Sequence, residues 1–375
     1  MKKLFYIGCL GLIFFEIGNV YFIMPMPGSQ QMNSIGLAYF LYKWRWVFRV
    51  LLAAFLLIGL LKAQWRRKWT LAIPLLFLGA ICYVVNFKMA ADVMFSQPRV
   101  ITLSNLSDNK VDSNRLVIGV VDDGVAKAYP IQFLGYHHFV YDTINGKNIL
   151  VTYCTVCRTG RVFDPTVNGK IEKFRLVGMD HFNAMIEDAT TKSWWQQATG
   201  IAVAGKLKGT KLREVHSAQT SLALWQQLYP NTSIMQADVA STKFYDTSFN
   251  YETGKSKSKL TGTDTLSWQR KSWVIGVKVN NLSRAFDWNE LKQKRILQSS
   301  IGNTVAFVAL AKDNRSFFAY ENNFSALPLI VNDTLVINNK RYKLSGVGID
   351  TNFNLKPLHA YQEFWHSWQY FAEKK

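Results

Sequence analysis

The sequence predicts an N-terminal α-helical membrane segment of three spans, followed by an α+β, strand-rich domain built from two diverged copies of one unit. Three observations carry this expectation. The first 90 residues hold apolar runs of spanning length. After Pro98 the pattern changes to short β-branched and aromatic runs separated by Gly, Asn, Asp and Pro. Within that second part, sequence fragments recur at nearly constant offsets.

Leu4 to Met24 is a run of 21 residues broken only by Glu16 and Asn19. At about 1.5 Å per residue it is long enough to cross roughly 30 Å of hydrocarbon. It is too long for the apolar core of a signal peptide, and Met24-Pro25-Met26-Pro27 stands where a small-residue cleavage site would be, so the run is expected to be retained. A second run, from about Tyr39 to Leu61, and a third, Trp69 to Val85, complete a segment over residues 1–90. Lys62, Arg66, Arg67 and Lys68 crowd the loop between the second and third runs. With Lys2 and Lys3 they predict a cytoplasmic N-terminus and an extracytoplasmic C-terminal domain, against Lys43 and Arg45 in the first loop. Glu16 and Arg49 lie twelve residues from the cytoplasmic ends of their runs, which predicts similar depth and pairing.

Composition suits this division. Hydrophobic residues make up 49% and charged residues 18% of 375 residues, which excludes a disordered chain. The net charge is +19; residues 1–87 hold nine Lys or Arg against one Glu, so +8 belongs there and +11 to the rest. The later basic residues form no stripe interleaved with aromatics. The expected partner is therefore the lipid bilayer and not nucleic acid.

The strand-rich part opens with a hairpin signal. Phe139 to Ile144 and Asn148 to Tyr153 flank Asn145-Gly146, which supplies the two positive-φ residues of a type I′ turn. Val117-Ile118-Gly119-Val120 recurs as Val274-Ile275-Gly276-Val277 at an offset of 157, which also pairs Ala128 with Ala285, Leu134 with Leu291 and Ile144 with Ile301. Phe174 and Gly178 match Tyr342 and Gly346 at 168, and Trp225-Gln226 matches Trp368-Gln369 at 143. The expected copies are residues 98–240 and 255–371. The second carries Ala311 and Asn314 in place of Cys154 and Cys157, so specialised chemistry is expected in the first.

Val117-Ile118-Gly119-Val120, Ala126-Lys127-Ala128-Tyr129-Pro130, Val151-Thr152-Tyr153-Cys154-Thr155-Val156-Cys157 and the series Thr191, Ser193, Trp195, Gln197, Thr199, Gly200 resemble the bacterial family known as domain of unknown function 3179. The resemblance covers about residues 98–371, including Phe364-Trp365-His366-Ser367-Trp368. Thr155 replaces the Pro of that family's Cys-Pro-x-Cys, His138 stands where Glu follows its His, and Ala189 replaces the Arg after Asp188. The resemblance implies the domain and carries no activity with it.

Cys9 and Cys82 fall inside the apolar runs and read as packing residues. Cys154 and Cys157 are the candidate catalytic pair; outside the cytoplasm a Cys-x-x-Cys is a disulfide, a redox dithiol or part of a metal site. Arg158 after the second Cys excludes c-type haem attachment, and Thr159-Gly160 and Asp164-Pro165 read as turn and strand instead of a thioredoxin helix. With His137 as third ligand the pair is a candidate site for a soft transition metal. His138 and His181 are alternatives, Asp142, Asp180 and Asp188 supply outer partners, and Arg158 favours a thiolate. Asp188, Thr191, Ser193, Trp195 and Gln197 are candidate ligand-binding residues and a wall of that site; equally, they satisfy loop backbone. No nucleotide motif, Ser-His-Asp order or HExxH is present. Two functions follow: an extracytoplasmic thiol-redox or metal-binding protein, or a ligand- or partner-binding module stapled by its cysteines. Tyr361, Phe364, Trp365, Trp368 and Phe371 have the spacing of one helical stripe.

Overall fold

The apolar runs fold as helices, whose hydrogen bonds satisfy the backbone within the segment as hydrocarbon would require. The computed structural model describes residues 1–65, 67, 69–324 and 326–372. Two of the basic residues used to orient the chain, Arg66 and Lys68, lie outside the described residues. The helices are α1 (Lys2–Tyr21), α2 (Ile35–Lys43), α3 (Arg45–Lys62) and α4 (Trp69–Tyr83). A π-turn at Val84–Lys88 and the short α5 (Ala91–Met94) follow. Lys2–Tyr21 and Trp69–Lys88 are long and apolar enough to cross a membrane. The expected second span is a bent pair: α2 and α3 meet at 62°, and only taken together do they make a third span.

The chain divides into two compact units, the first comprising Met1–Ser96, Lys173–Gln196 and Ile201–Lys211. In this unit α1 and α3 approach closely at Gly8 and Gly59, where any Cβ would collide with the backbone of Leu56 and of Phe5. Arg49 Nε and Nη2 donate to the two Glu16 oxygens at 2.7 and 2.8 Å, and Arg49 Nη2 also donates to Asn86 Oδ1 at 2.8 Å. Asn86 Nδ2 returns a bond to Glu16 Oε2 at 3.0 Å. The expected pairing is present and is completed by an amide from the π-turn that follows α4.

The same unit contains an antiparallel meander of strands Phe174–Asp180, Asn183–Asp188, Trp194–Gln196 and Ala202–Ala204. Its apolar face, Val177, Met185, Trp194 and Ala204, is buried with Ala38 of α2. The Trp194 ring lies 5.1 Å from both Tyr39 and Tyr42.

The second unit comprises Gln97–Glu172, Gln197–Gly200 and Leu212–Lys375. Strands Leu116–Asp122 and Val125–Pro130 pair, then α6 (Ile131–His137) leads into strands Phe139–Ile144, Lys147–Cys154 and Thr159–Phe163. Asn145 and Gly146 both have positive φ, as the hairpin signal requires. Later, strand Ala218–Ser221 pairs back on Leu116–Asp122 and runs into α7 (Leu222–Leu228). A second run begins with strands Trp273–Val279 and Leu282–Asp287, then α8 (Trp288–Lys294), then strands Ile296–Ile301, Thr304–Leu310 and Phe317–Glu321. Strand His359–Phe364 pairs back on Trp273–Val279 and ends in α9 (Trp365–Phe371). Tyr361 and Phe364 are therefore strand residues, and the helical stripe begins only at Trp365. Trp225 fills the space left by Gly119, and Trp368 that left by Gly276.

Candidate functional site

Cys154 ends one strand of a hairpin and Cys157 sits in the turn that joins it to Thr159–Phe163; Cys154 itself pairs with Thr159. Arg158 closes that turn with φ 57, a left-handed conformation unusual for a residue with a Cβ. The cysteines stand as thiols with 1% and 0% of their surface exposed. They are covered by the closing segment of the chain. The Phe364 amide donates to the Cys157 carbonyl at 2.9 Å, and the Cys157 side chain contacts Cys154 and Ser367.

Glu363 organises that cover. Its Oε1 accepts from Thr159 Oγ1 at 2.8 Å and pairs with Arg161 Nη2, while Oε2 accepts from Ser367 at 3.1 Å. Arg161, buried, also reaches Glu214 Oε1 at 3.5 Å and lies 3.1 Å from the centre of the Tyr361 ring. Tyr361 in turn donates to Glu214 at 2.5 Å. Burial pushes the Glu214 carboxyl up, but Arg161, His359 and the Tyr361 hydroxyl outweigh it and hold it below the usual carboxylate range.

The electrostatics do not make a nucleophile of Cys157. Burial, then the hydrogen bond and charge of Cys154, push its thiol well above the ordinary range, opposed by the Ser367 hydroxyl. Lys271 is the cation that feels the cysteines: burial lowers it to about 8, with Cys157 pulling the other way. Its ammonium donates to the Leu260 carbonyl and lies 4.6 Å from the centre of the Phe364 ring.

Arg158 does not serve the thiols as expected. Its guanidinium donates to Gln362 Oε1 at 2.8 Å and to the Tyr251 and Glu252 carbonyls at 2.9 and 3.0 Å, 3.6 Å above the Trp273 ring. His137 is the last residue of α6, fully buried, with Nε2 2.7 Å from the Tyr245 hydroxyl. His138 is turned through φ 63; its carbonyl accepts from the Tyr153 amide, and burial lowers its imidazole to about 4. Among the described residues no three His, Cys, Asp or Glu side chains converge to hold a metal ion, so Cys154, Cys157 and His137 do not form the expected accessible cluster. Helix α6 after Pro130 directs the His137 ring to Tyr245. Asp142 is engaged by Lys127 and Tyr129.

Asp180 and His181 meet each other at 2.6 Å in the first unit. Asp188, Thr191, Ser193 and Trp195 belong there too. Asp188 accepts from the Thr191 amide at 2.5 Å, the Ser193 amide at 3.0 Å and Trp195 Nε1 at 2.9 Å. Asp188, Ser193 and Trp195 are fully buried, so the series ties its own turn together, as Asx-type side chains do. Gln197 belongs to the second unit and does meet the cysteine hairpin: Nε2 donates to Thr152 Oγ1 at 2.9 Å and to the Thr159 carbonyl at 3.1 Å.

Sequence reasoning missed Arg161, Lys271, Glu363 and Ser367. Ser367 lies in the motif Phe364-Trp365-His366-Ser367-Trp368, and it is the junction there of strand His359–Phe364 with α9 that brings Glu363 and Ser367 to this site.

A family model described as Protein of unknown function (DUF3179) matches residues 94–375. No curated protein and no solved structure matches the chain.

Proposed function

The chain belongs to the DUF3179 family, and from that premise we propose that it is a membrane-anchored binding module whose Cys154–Cys157 pair fastens the fold instead of reacting. One observation carries this reading: the two sulfurs are closed off by the chain's own last strand and helix, with Cys157 held protonated by that burial. A nucleophilic thiol needs the opposite, an accessible and electropositive setting. The N-terminus is assigned to the cytoplasm and the second unit to the outer face on the placement of Lys2, Lys3, Lys62 and Arg67.

The contact between the thiols and the nearby Lys271 favours a second reading, a dithiol that cycles when the closing segment lifts. Alkylation of the full-length protein, isolated without reductant, separates the two. The fastening role predicts no labelling of Cys154 or Cys157 until the chain is denatured, and no change in rate across glutathione buffers. Labelling that follows the buffer potential in the native protein would replace it with the dithiol.

The strand-rich part of the chain is further proposed to be an internal duplication, residues 98–240 and 255–371. Support comes from the two runs of strand, strand, helix and three strands, each closed by a returning strand and a short helix. After Phe163 and Glu321 the runs diverge.

A further inference from the structure

A cavity of about 280 Å³ lies in the first unit, at the ends of the apolar helices marked by Tyr21, Arg45 and Lys88. Met24 and Met89, which belong to one apolar cluster with Val20 and Val85, are among its lining, as are the polar Arg45, Arg49, Arg175, Tyr42, Asn19 and Asp92. The three guanidiniums are not equivalent. Arg49 is occupied by Glu16 and Asn86, and Arg175 by Glu187 at 2.9 Å and Asp92 at 3.2 Å. Arg45 meets no carboxylate among the described residues. Its Nη1 donates to the Tyr42 carbonyl at 2.7 Å and its guanidinium lies 4.0 Å from the Tyr42 ring centre, leaving most of its five N–H donors without an anion. Arg175 donates to the hydroxyl of the same tyrosine at 2.8 Å, so two cations flank one ring. On the other side of the balance, Asn19 Oδ1 is buried with no hydrogen-bond partner among the described residues. An orphaned acceptor of that kind calls for a donor.

We propose that this cavity binds the headgroup of a glycerophospholipid. The phosphate would meet Arg45, a hydroxyl or ammonium on the headgroup would meet Asn19 Oδ1, and the acyl chains would leave along the apolar cluster. The chemistry selects this class on three grounds. A planar guanidinium matches phosphate oxygens in bidentate fashion. The acceptor requires a headgroup with its own N–H or O–H. The site lies at the ends of helices long enough to cross a bilayer, where headgroups are found. This assignment is independent of the reading of the cysteine pair.

The full-length protein in detergent, titrated with short-chain phosphatidylglycerol and with phosphatidylcholine of equal chain length and followed by native mass spectrometry, tests it. Phosphatidylglycerol is expected to bind more tightly than phosphatidylcholine, and Arg45→Gln to weaken it about tenfold, the loss of one charge-assisted contact. Asn19→Leu should erase the preference between the two lipids. Equal binding of the two lipids to the unmodified protein, or no change in Arg45→Gln, overturns the proposal. Displacement of the lipid by inorganic phosphate in modest excess would make this a soluble-phosphate site and also overturn it. Should Arg45→Gln not fold, a photoactivatable phosphatidylglycerol on the unmodified protein decides. Adducts at residues 19–24 or 85–92 support the site, and adducts confined to the exposed helix faces around Leu57 and Leu76 reject it.

Discussion

Gln219 donates its side-chain amide to Gln362 Oε1 at 3.2 Å, and the two residues stand 143 positions apart, the offset that also relates Trp225 to Trp368. Their registers agree: Gln219 lies opposite Ile118 and Gln362 opposite Ile275, themselves separated by the offset of 157. His216 and His359, again 143 apart, have ring centres 5.6 Å from each other. Under the proposed duplication these are corresponding positions of the two runs, in contact with each other.

If the runs are copies, their closing tryptophans should be energetically alike. Trp225 and Trp368 are 1% and 4% exposed and each packs on a strand glycine. Trp225→Ala and Trp368→Ala are each expected to cost about 3–5 kcal/mol, the usual range for removing a buried aromatic. Denaturant unfolding of the full-length protein in detergent measures both. A cost for one several-fold larger than for the other would argue against equivalent roles.

Much of this was legible before the fold, and what was not has physical causes. Apolar length located the helices, and matched depth paired Glu16 with Arg49, because an ionised side chain in hydrocarbon needs a counter-charge. Asn145-Gly146 marked its hairpin because few other residue pairs tolerate positive φ twice. His137 does not reach the cysteines because α6 carries its ring to Tyr245, and the seven residues of that helix are too few for a helical period to declare itself. Tyr361 and Phe364 fit a helical stripe by spacing, but pairing with Trp273–Val279 draws them into a strand, a tertiary effect no local pattern contains. The cover over Cys157 is supplied by Glu363 and Ser367, about two hundred positions away. The Asp188 to Trp195 series offered the right residue types for a cleft; the bonds that Asp188 accepts from Thr191, Ser193 and Trp195 use them as internal fastening.

Glu16 and Arg49 should show strong non-additivity. Removing either charge strands the other where water is scarce, at a cost of about 3–5 kcal/mol for a buried pair. Glu16→Gln and Arg49→Met are expected to lower thermal stability in detergent sharply, and Glu16→Gln with Arg49→Met to recover most of the loss. A double variant as unstable as the sum of the singles would mean that the pair is not coupled.

Glu363 should matter more to stability than either thiol. Glu363→Leu leaves buried Arg161 with Glu214 as its only remaining carboxylate partner among the described residues and removes the acceptor of Thr159 and Ser367, a loss of about 3–5 kcal/mol. Cys157→Ser keeps a small group that can still donate and should cost about 1–3 kcal/mol. Chemical denaturation of both variants ranks them. A larger effect from Cys157→Ser would shift the structural weight from the Glu363 network to the sulfurs.

Acid should destabilise the second unit from near-neutral pH downwards. Burial, assisted by His137, lowers His138 from 6.5 to about 4; burial, with Lys271 and Arg270, lowers His366 from 6.5 to about 3. In the unfolded chain both imidazoles take up a proton near pH 6.5, whereas in the folded unit they stay neutral until the lower values. Below pH 6.5 the unfolded state therefore binds more protons, and stability rises with pH. The stabilisation from keeping these rings neutral is complete above pH 6.5 and is lost as pH falls through about 4 for His138 and about 3 for His366. Unfolding free energy measured at intervals from pH 7.5 to pH 4, in steps of roughly half a unit, should fall most steeply below about 6.5. His366→Phe should flatten the slope without moving its onset, because His138 continues to titrate. A profile with the same slope in His366→Phe and in the unmodified protein would show that the His366 ring carries its proton equally in both states.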